Sequence, residues 1–419
     1  MPRFLPAWLL GLALLAGLAA PAEARGGSGA VEQHLLEKGV AALTRAEGAW
    51  FGKDKAKARR FGLQAETLFE DVLKHNPRQR QAALLGGQAA VFAGERMRAR
   101  QWVSRYQAMS PAGENDPDLH YMRAFVHLLS EENPPRALKS LQRMYSLNPR
   151  ARPRARDTLW WIALSDLGRH YLQADKTTEA SRQFATGARV ARRLGDSRKE
   201  ILMLGDLGTA YMRGDRYIEA MEVYDGLAKL QPRYPLWQWR LGMSLANQTR
   251  FAEAAEKYRI VLKMKDEGVK LEPTHAQEMA ELPMRLGNCL RHISGGELDA
   301  TKRAKLLEDA EKYLAQYAKE RPRDARAHKW LGVLHQDQLE KPYAALKHFR
   351  ASFDLDPMCE DVLRRMVQIL SRHPAPEGTS AEAWEAKRVA MKKDLDEGSE
   401  KRKAEAKARK KKHGDDGCT

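Results

Sequence analysis

This chain has little of what usually marks a small disulfide-stapled fold, a metalloprotein or a nucleotide-binding enzyme. Its 419 residues include three cysteines, Cys289, Cys359 and Cys418. Their spacing matches neither a zinc site nor a disulfide framework, so they read as three separate thiols. Aromatic residues make up 7% of the chain, and few stretches alternate apolar and polar residues as half-buried strands do. Beyond the N-terminus no apolar run approaches the ~18 residues that would cross a bilayer. A phosphate loop, a dinucleotide glycine fingerprint, a nucleophile elbow and a zincin helix are all missing from the sequence. His120 and His127 are seven residues apart, as are His328 and His335. On a helix that is about 10 Å, too far for one metal ion without a further element.

What is present points to helices. Hydrophobic residues reach 43%, enough for a sizeable core, and charged residues 30%. Alanine, leucine, arginine and lysine, all good helix formers, are abundant. The formal net charge is +17, which favours anionic partners and says nothing about fold. At the N-terminus Arg3 precedes an apolar run from Phe4 to Ala20, followed by Pro21 and the small-x-small site Ala22-Glu23-Ala24. This is the layout of a secretory signal peptide. An uncleaved anchor is the alternative, but Pro6, Gly11 and Gly17 interrupt the run. Removal of residues 1–24 takes away one charge of each sign, so the mature chain keeps +17.

A pattern then repeats through the chain. Gly208 is preceded by Leu207 and followed at +12, +16 and +24 by Ala220, Tyr224 and Pro232. Thirty-four residues on, Gly242 is followed by Ala254 and Tyr258 at the same offsets; Gly168 is followed by Ala180 and Phe184. Weaker copies begin at Gly87 and Phe125. Gly287 and Gly332 head copies stretched by inserted residues, and Ala65, Phe69 and Pro77 end a first copy with an irregular start. That makes eight copies between about residues 32 and 357. These residues resemble the tetratricopeptide repeat, a unit of 34 residues with conserved-type positions L-G-x2-Y, A-x3-F and P.

The resemblance implies an all-α fold: a right-handed superhelical solenoid of helix-turn-helix units. Gly168, Gly208, Gly242, Gly287 and Gly332 would sit where the two helices of a unit cross closely, since glycine inside a helix otherwise costs about 1 kcal/mol. Ala180, Ala220 and Ala254 would be the matching small contacts. Tyr224 and Tyr258, with Phe184 and Phe349, would fill the space between one unit and the next. The array is expected over 32–373, after a flexible 25–31 and with a capping helix at its end. A linker at 374–379, a helix over 380–397 and a basic tail over 398–419 complete the order. In the tail, eight of the twelve residues Lys401 to Lys412 are basic, and such runs are usually solvated.

In this family the first helix of each unit lines a concave groove. Carried onto this chain, the groove comprises Arg169, Gln173, Arg213, Trp239, Met243, Asn247, Asn288, Arg291 and His292. Trp239 either anchors a ligand there or packs between helices. The expected function is a non-enzymatic adaptor or scaffold of the bacterial cell envelope that binds a peptide or partner helix and needs no cofactor or metal. The alternative is an electrostatic binder of anionic envelope polymer or lipid acting through Lys401–Lys412, with the solenoid as spacer. Nucleic acid is disfavoured because no aromatics alternate with the basic residues of the tail. The signal segment predicts cleavage after Ala24; sequencing the exported protein from its N-terminus should begin at Arg25, and a retained Met1 would favour the anchor.

Overall fold

Leucine- and alanine-rich stretches with one apolar stripe, ended by glycine or proline, dictate short helices that must pair to bury that stripe. The computed structural model describes residues 28–151, 153–270, 273–394 and 396–397. Among these there are helices and turns and no strand. The expected signal segment 1–24, and the basic tail from 398 with its Lys401–Lys412 block, lie outside the described residues. No described helix is long and apolar enough to cross a membrane. The chain divides into two units between Arg216 and Tyr217.

Unit 1 contains α1 (Ser28–Phe51), α2 (Lys55–His75), α3 (Arg80–Phe92), α4 (Arg96–Met109), α5 (Pro117–Leu129), α6 (Pro134–Leu147), α7 (Pro153–Gln173), α8 (Thr177–Arg193) and α9 (Ser197–Arg213). Each helix packs on its sequence neighbours, and the first helices of successive hairpins, α1, α3, α5 and α7, also touch one another. Unit 2 contains α10 (Tyr217–Leu230), α11 (Pro235–Asn247), α12 (Phe251–Asp266), the short α13 (Pro273–Glu278), α14 (Leu282–Gly296), α15 (Ala300–Glu320), α16 (Ala325–Asp337), α17 (Pro342–Leu355) and α18 (Glu360–Arg372). α11–α12, α14–α15 and α16–α17 are its hairpins. Between α12 and α14 the chain forms α13 and a single turn of tighter helix at Met279–Glu281.

The turns inside the hairpins share one geometry. Seven residues after the repeat position stands a residue with positive φ: Gly94, Glu132, Asp175, Asp215 and Thr249. In four of these turns the next amide donates to a carbonyl five residues back: Glu95 to Ala90, Lys176 to Tyr171, Arg216 to Tyr211 and Arg250 to Leu245, at 2.8–3.0 Å. This is the left-handed helix end that satisfies otherwise orphaned carbonyls.

The repeat glycines meet large side chains of the second helix of their hairpin. A β-carbon added to Gly168 would stand 2.6 Å from the Phe184 ring; Gly242 and Gly332 stand in the same relation to Tyr258 and Phe349, and Gly287 meets Leu314 at 2.8 Å. These large side chains are 0% exposed. Phe349 also packs with Cys359, Val362 and Met366 of the following segment. Gly208, Ala220 and Tyr224 are buried in their respective units. The irregular first copy acquires its missing glycine here: Gly39 of α1 meets Phe69 of α2 at 2.6 Å.

Beyond α18 residues 381–394 are helical. Trp384 of this helix is 7% exposed, donates to the carbonyls of Leu370 and His373 at 3.2 and 3.0 Å, and packs edge-on to Tyr343. The helix expected after the linker therefore docks back on the end of unit 2. Cys289 is buried as a free thiol, and burial pushes its pKa up to about 12. Cys359 is 3% exposed and packs with Phe349 and Val362.

Two outcomes follow from this packing. Gly168→Leu should lower stability by about 1–3 kcal/mol or more, since the ring it meets has nowhere to go. Gly226, by contrast, has nothing within 4 Å, and Gly226→Ala should raise stability by up to about 1 kcal/mol; urea titrations of both variants check the pair. In unit 1, Glu47 is 2% exposed, and burial raises its pKa from 4.5 to about 8. The folded state holds the proton and the unfolded state does not, so stability falls as pH rises from about 4.5 to 8. Glu47→Gln should remove that fall and be the more stable protein at pH 8 by at least about 1 kcal/mol. Equal melting of the two proteins at pH 8 would contradict it.

Candidate functional site

The expected groove residues fall into both units. In unit 1, Arg169 of α7 pairs with Asp206 of α9 at 3.2 Å, Gln173 is exposed, and Arg213 is exposed and donates to the Leu172 carbonyl at 3.3 Å. In unit 2, Met243 is half-buried and Asn247 exposed. The structure decides between the two readings of Trp239. It is 1% exposed, its ring lies 5.3 Å from that of Tyr258, and the Arg285 guanidinium covers it at 5.7 Å. Trp239 is a core residue, not an exposed anchor, because the hairpin glycine draws Tyr258 close enough to bury it.

Asn288, Arg291 and His292 are brought together on α14. Arg291 is 8% exposed. Its Nε donates to Asn288 Oδ1 at 3.1 Å, its Nη2 lies 2.7 Å from His292 Nε2, and its guanidinium sits 5.4 Å from the centre of the Trp330 ring on α16. His292 stacks on Phe251, with ring centres 4.1 Å apart. Desolvation, with the neighbouring Arg291 charge, pushes its pKa down to about 4, so the ring is neutral at pH 7 and accepts the arginine's hydrogen bond. The backbone is held too: Gln338 Nε2 and Ser294 Oγ both donate to the Arg291 carbonyl at 2.8 Å.

Around this arginine the other cations have carboxylates. Arg240 pairs with Glu278 at 3.3 Å, Arg285 with Glu281 at 2.9 Å, and Arg326 with Glu281 and Asp324 at 2.8 Å. Lys329, 4% exposed, stands 3.5 Å from Asp361 and over the same Trp330 ring at 5.3 Å. Arg365 of α18 reaches Asp337 at 3.0 Å and donates to Gln336 at 2.9 Å. Arg291 alone of this group touches no carboxylate among the described residues. Burial pushes its pKa down; the field of Asp337 opposes that shift and the field of Arg365 adds to it. A buried guanidinium costs free energy unless an anion meets it, and its planar fork suits a carboxylate with two oxygens. Nη1 makes no hydrogen bond to the described protein. The arrangement can accept an anionic group beside an aromatic ring; no described group of histidine, cysteine, aspartate and glutamate could hold a metal ion.

Lys329, Trp330 and Arg365 were not among the expected groove residues. Lys329 and Asp337 occupy the same offsets from Gly332, three before and five after, that select groove positions elsewhere, so a signal existed for them. Trp330 is one residue off that set, and Arg365 lies beyond the last repeat; only packing brings them in.

Stacked helical hairpins with this turn geometry define a helical-repeat protein. Residues 206–268 match the family model of the tetratricopeptide repeat. No curated protein matches the sequence. Solved structures with similar helical arrangement include the C-terminal part of a TPR repeat-containing protein from Cytophaga hutchinsonii, 12% identical over 68% of this chain and 99% of that one, with a TM-score of 0.42. Yeast Tom70 is 13% identical over 87% of this chain and 69% of its own, at 0.36. The MamA RS-1 ArsTM double mutant is 18% identical over 48% and 96%, at 0.37.

Proposed function

We propose that this protein is a non-enzymatic adaptor of the bacterial cell envelope whose unit 2 binds an acidic segment of a partner protein. The reading rests on one observation above others: Arg291 is a buried guanidinium without a carboxylate, set on Trp330 beside Lys329 and Arg365. A glutamate or aspartate side chain, or a chain-terminal carboxylate, would supply the missing anion, and the half-buried Trp330 ring would take an apolar neighbour. Aromatic rings and arginines of this kind carry much of the energy at protein interfaces. The envelope assignment rests on the signal-type N-terminus alone.

Fluorescence anisotropy with a labelled glutamate-rich peptide, against the same peptide with glutamine, tests this. Arg291→Gln should weaken the acidic peptide at least about tenfold, or roughly 1.4 kcal/mol, and Arg169→Gln in unit 1 should leave it unchanged. Equal binding of both peptides would refute the reading. Loss of binding on deleting residues 398–419, with Arg291→Gln still binding, would transfer the function to the tail.

A further inference from the structure

The positive charge of this protein sits mostly in unit 1. Residues 28–216 contain 32 lysines and arginines against 21 aspartates and glutamates, whereas residues 217–397 contain 30 against 29. The tail from 398 adds only eight against four. Within unit 1 the excess gathers on the second helices of the hairpins. α4 carries Arg96, Arg98, Arg100 and Arg105 and no acidic residue; α6 carries Arg136, Lys139 and Arg143 and no acidic residue. α8 adds four arginines against Glu179.

The repeat places these cations in register. Ala99, Ala137 and Ala180 are equivalent buried positions on α4, α6 and α8. Arg105 and Arg143 each follow that alanine by six residues, and Lys139 and Arg182 each follow it by two. All four are exposed. None forms an ion pair among the described residues: Arg143 donates to the Asn115 side-chain oxygen at 3.2 Å, within the field of Glu114, and Arg105 lies over Trp102 at 5.4 Å. Each second helix packs on the first helix of the next hairpin, α4 on α5 and α6 on α7, so the cations of successive hairpins recur at the interval of the repeat, a spacing that a long anion can follow.

We propose that this face holds a linear anionic polysaccharide, bound by charge to the recurring cations of the second helices. The surroundings select that class of polymer. Trp102 and Tyr106 are 4% and 2% exposed, which leaves Tyr145, 47% exposed with the Arg156 guanidinium 4.8 Å from its ring centre, as a single accessible ring on α4 and α6, whereas single-stranded nucleic acid stacks successive bases on several rings. Met97 and Tyr145, 66% and 47% exposed, are the large exposed apolar side chains of these two helices, too few to seat a helix face in a bilayer. This surface is separate from Arg291 and does not depend on the acidic-peptide reading.

Heparin is the probe, titrated against the full chain at several salt concentrations. Replacing Arg105, Lys139, Arg143 and Arg182 together by glutamine should weaken binding at low salt by at least about tenfold and flatten its salt dependence, with an unchanged melting curve because all four are exposed. The pair Arg143→Gln with Arg182→Gln should give an intermediate loss, which keeps the test sound should the fourfold variant unfold. Arg291→Gln and deletion of residues 398–419 should each leave most of the affinity in place. The proposal is overturned if the fourfold variant binds heparin as the native chain does, if the tail deletion alone abolishes binding, or if an oligothymidine or an anionic vesicle is bound more tightly than heparin.

Discussion

The close crossing of two helices at a side-chain-free position is the constraint on which the structure rests. In the hairpins headed by Gly168, Gly242 and Gly332 an aromatic ring of the second helix occupies the space where a β-carbon would be. The Phe349 ring also reaches the segment that follows, packing with Val362 and Met366. Closing a hairpin and stacking it on the next are therefore one packing event, and a single unit has no way to bury its apolar stripe alone. Gly287 shows how far the constraint bends: Leu314 replaces the ring, and a longer second helix absorbs the inserted residues.

That packing decides which polar residues become buried. Helix faces that look amphipathic in isolation are brought against neighbours, and lysines and arginines at their edges lose water. In unit 2 most of these cations acquire a carboxylate from the next helix, as Arg326 does from Glu281 and Lys329 from Asp361. Arg291 acquires an amide, a neutral imidazole and an aromatic face. A protein interior tolerates such a group at a cost in stability. In unit 1 the cations of the second helices stay in water, where their repetition rather than their burial gives them a collective field.

The legibility of the chain differs between these levels. Glycine, alanine, ring and proline offsets announce the hairpins, because each offset answers a local steric need that recurs every 34 residues. Gly39 escaped that pattern, since an inserted turn puts thirty residues between it and Phe69. Asn288, Arg291 and His292 were legible as a group because they share one helix face. Trp239 was ambiguous, since a tryptophan at a groove offset can turn either way, and its burial beneath Arg285 depends on the neighbouring helix.

By itself, then, the sequence determined the helical class, the repeat frame, the places where helices end and the overall positive charge, because these depend on residue type and spacing along one chain. Tertiary structure alone decided that Trp239 is core, that Trp330 and Arg365 join Arg291, and that Arg291 meets no carboxylate among the described residues. Those outcomes depend on which side chains arrive from other helices, and a carboxylate that fails to arrive leaves no mark in the local sequence.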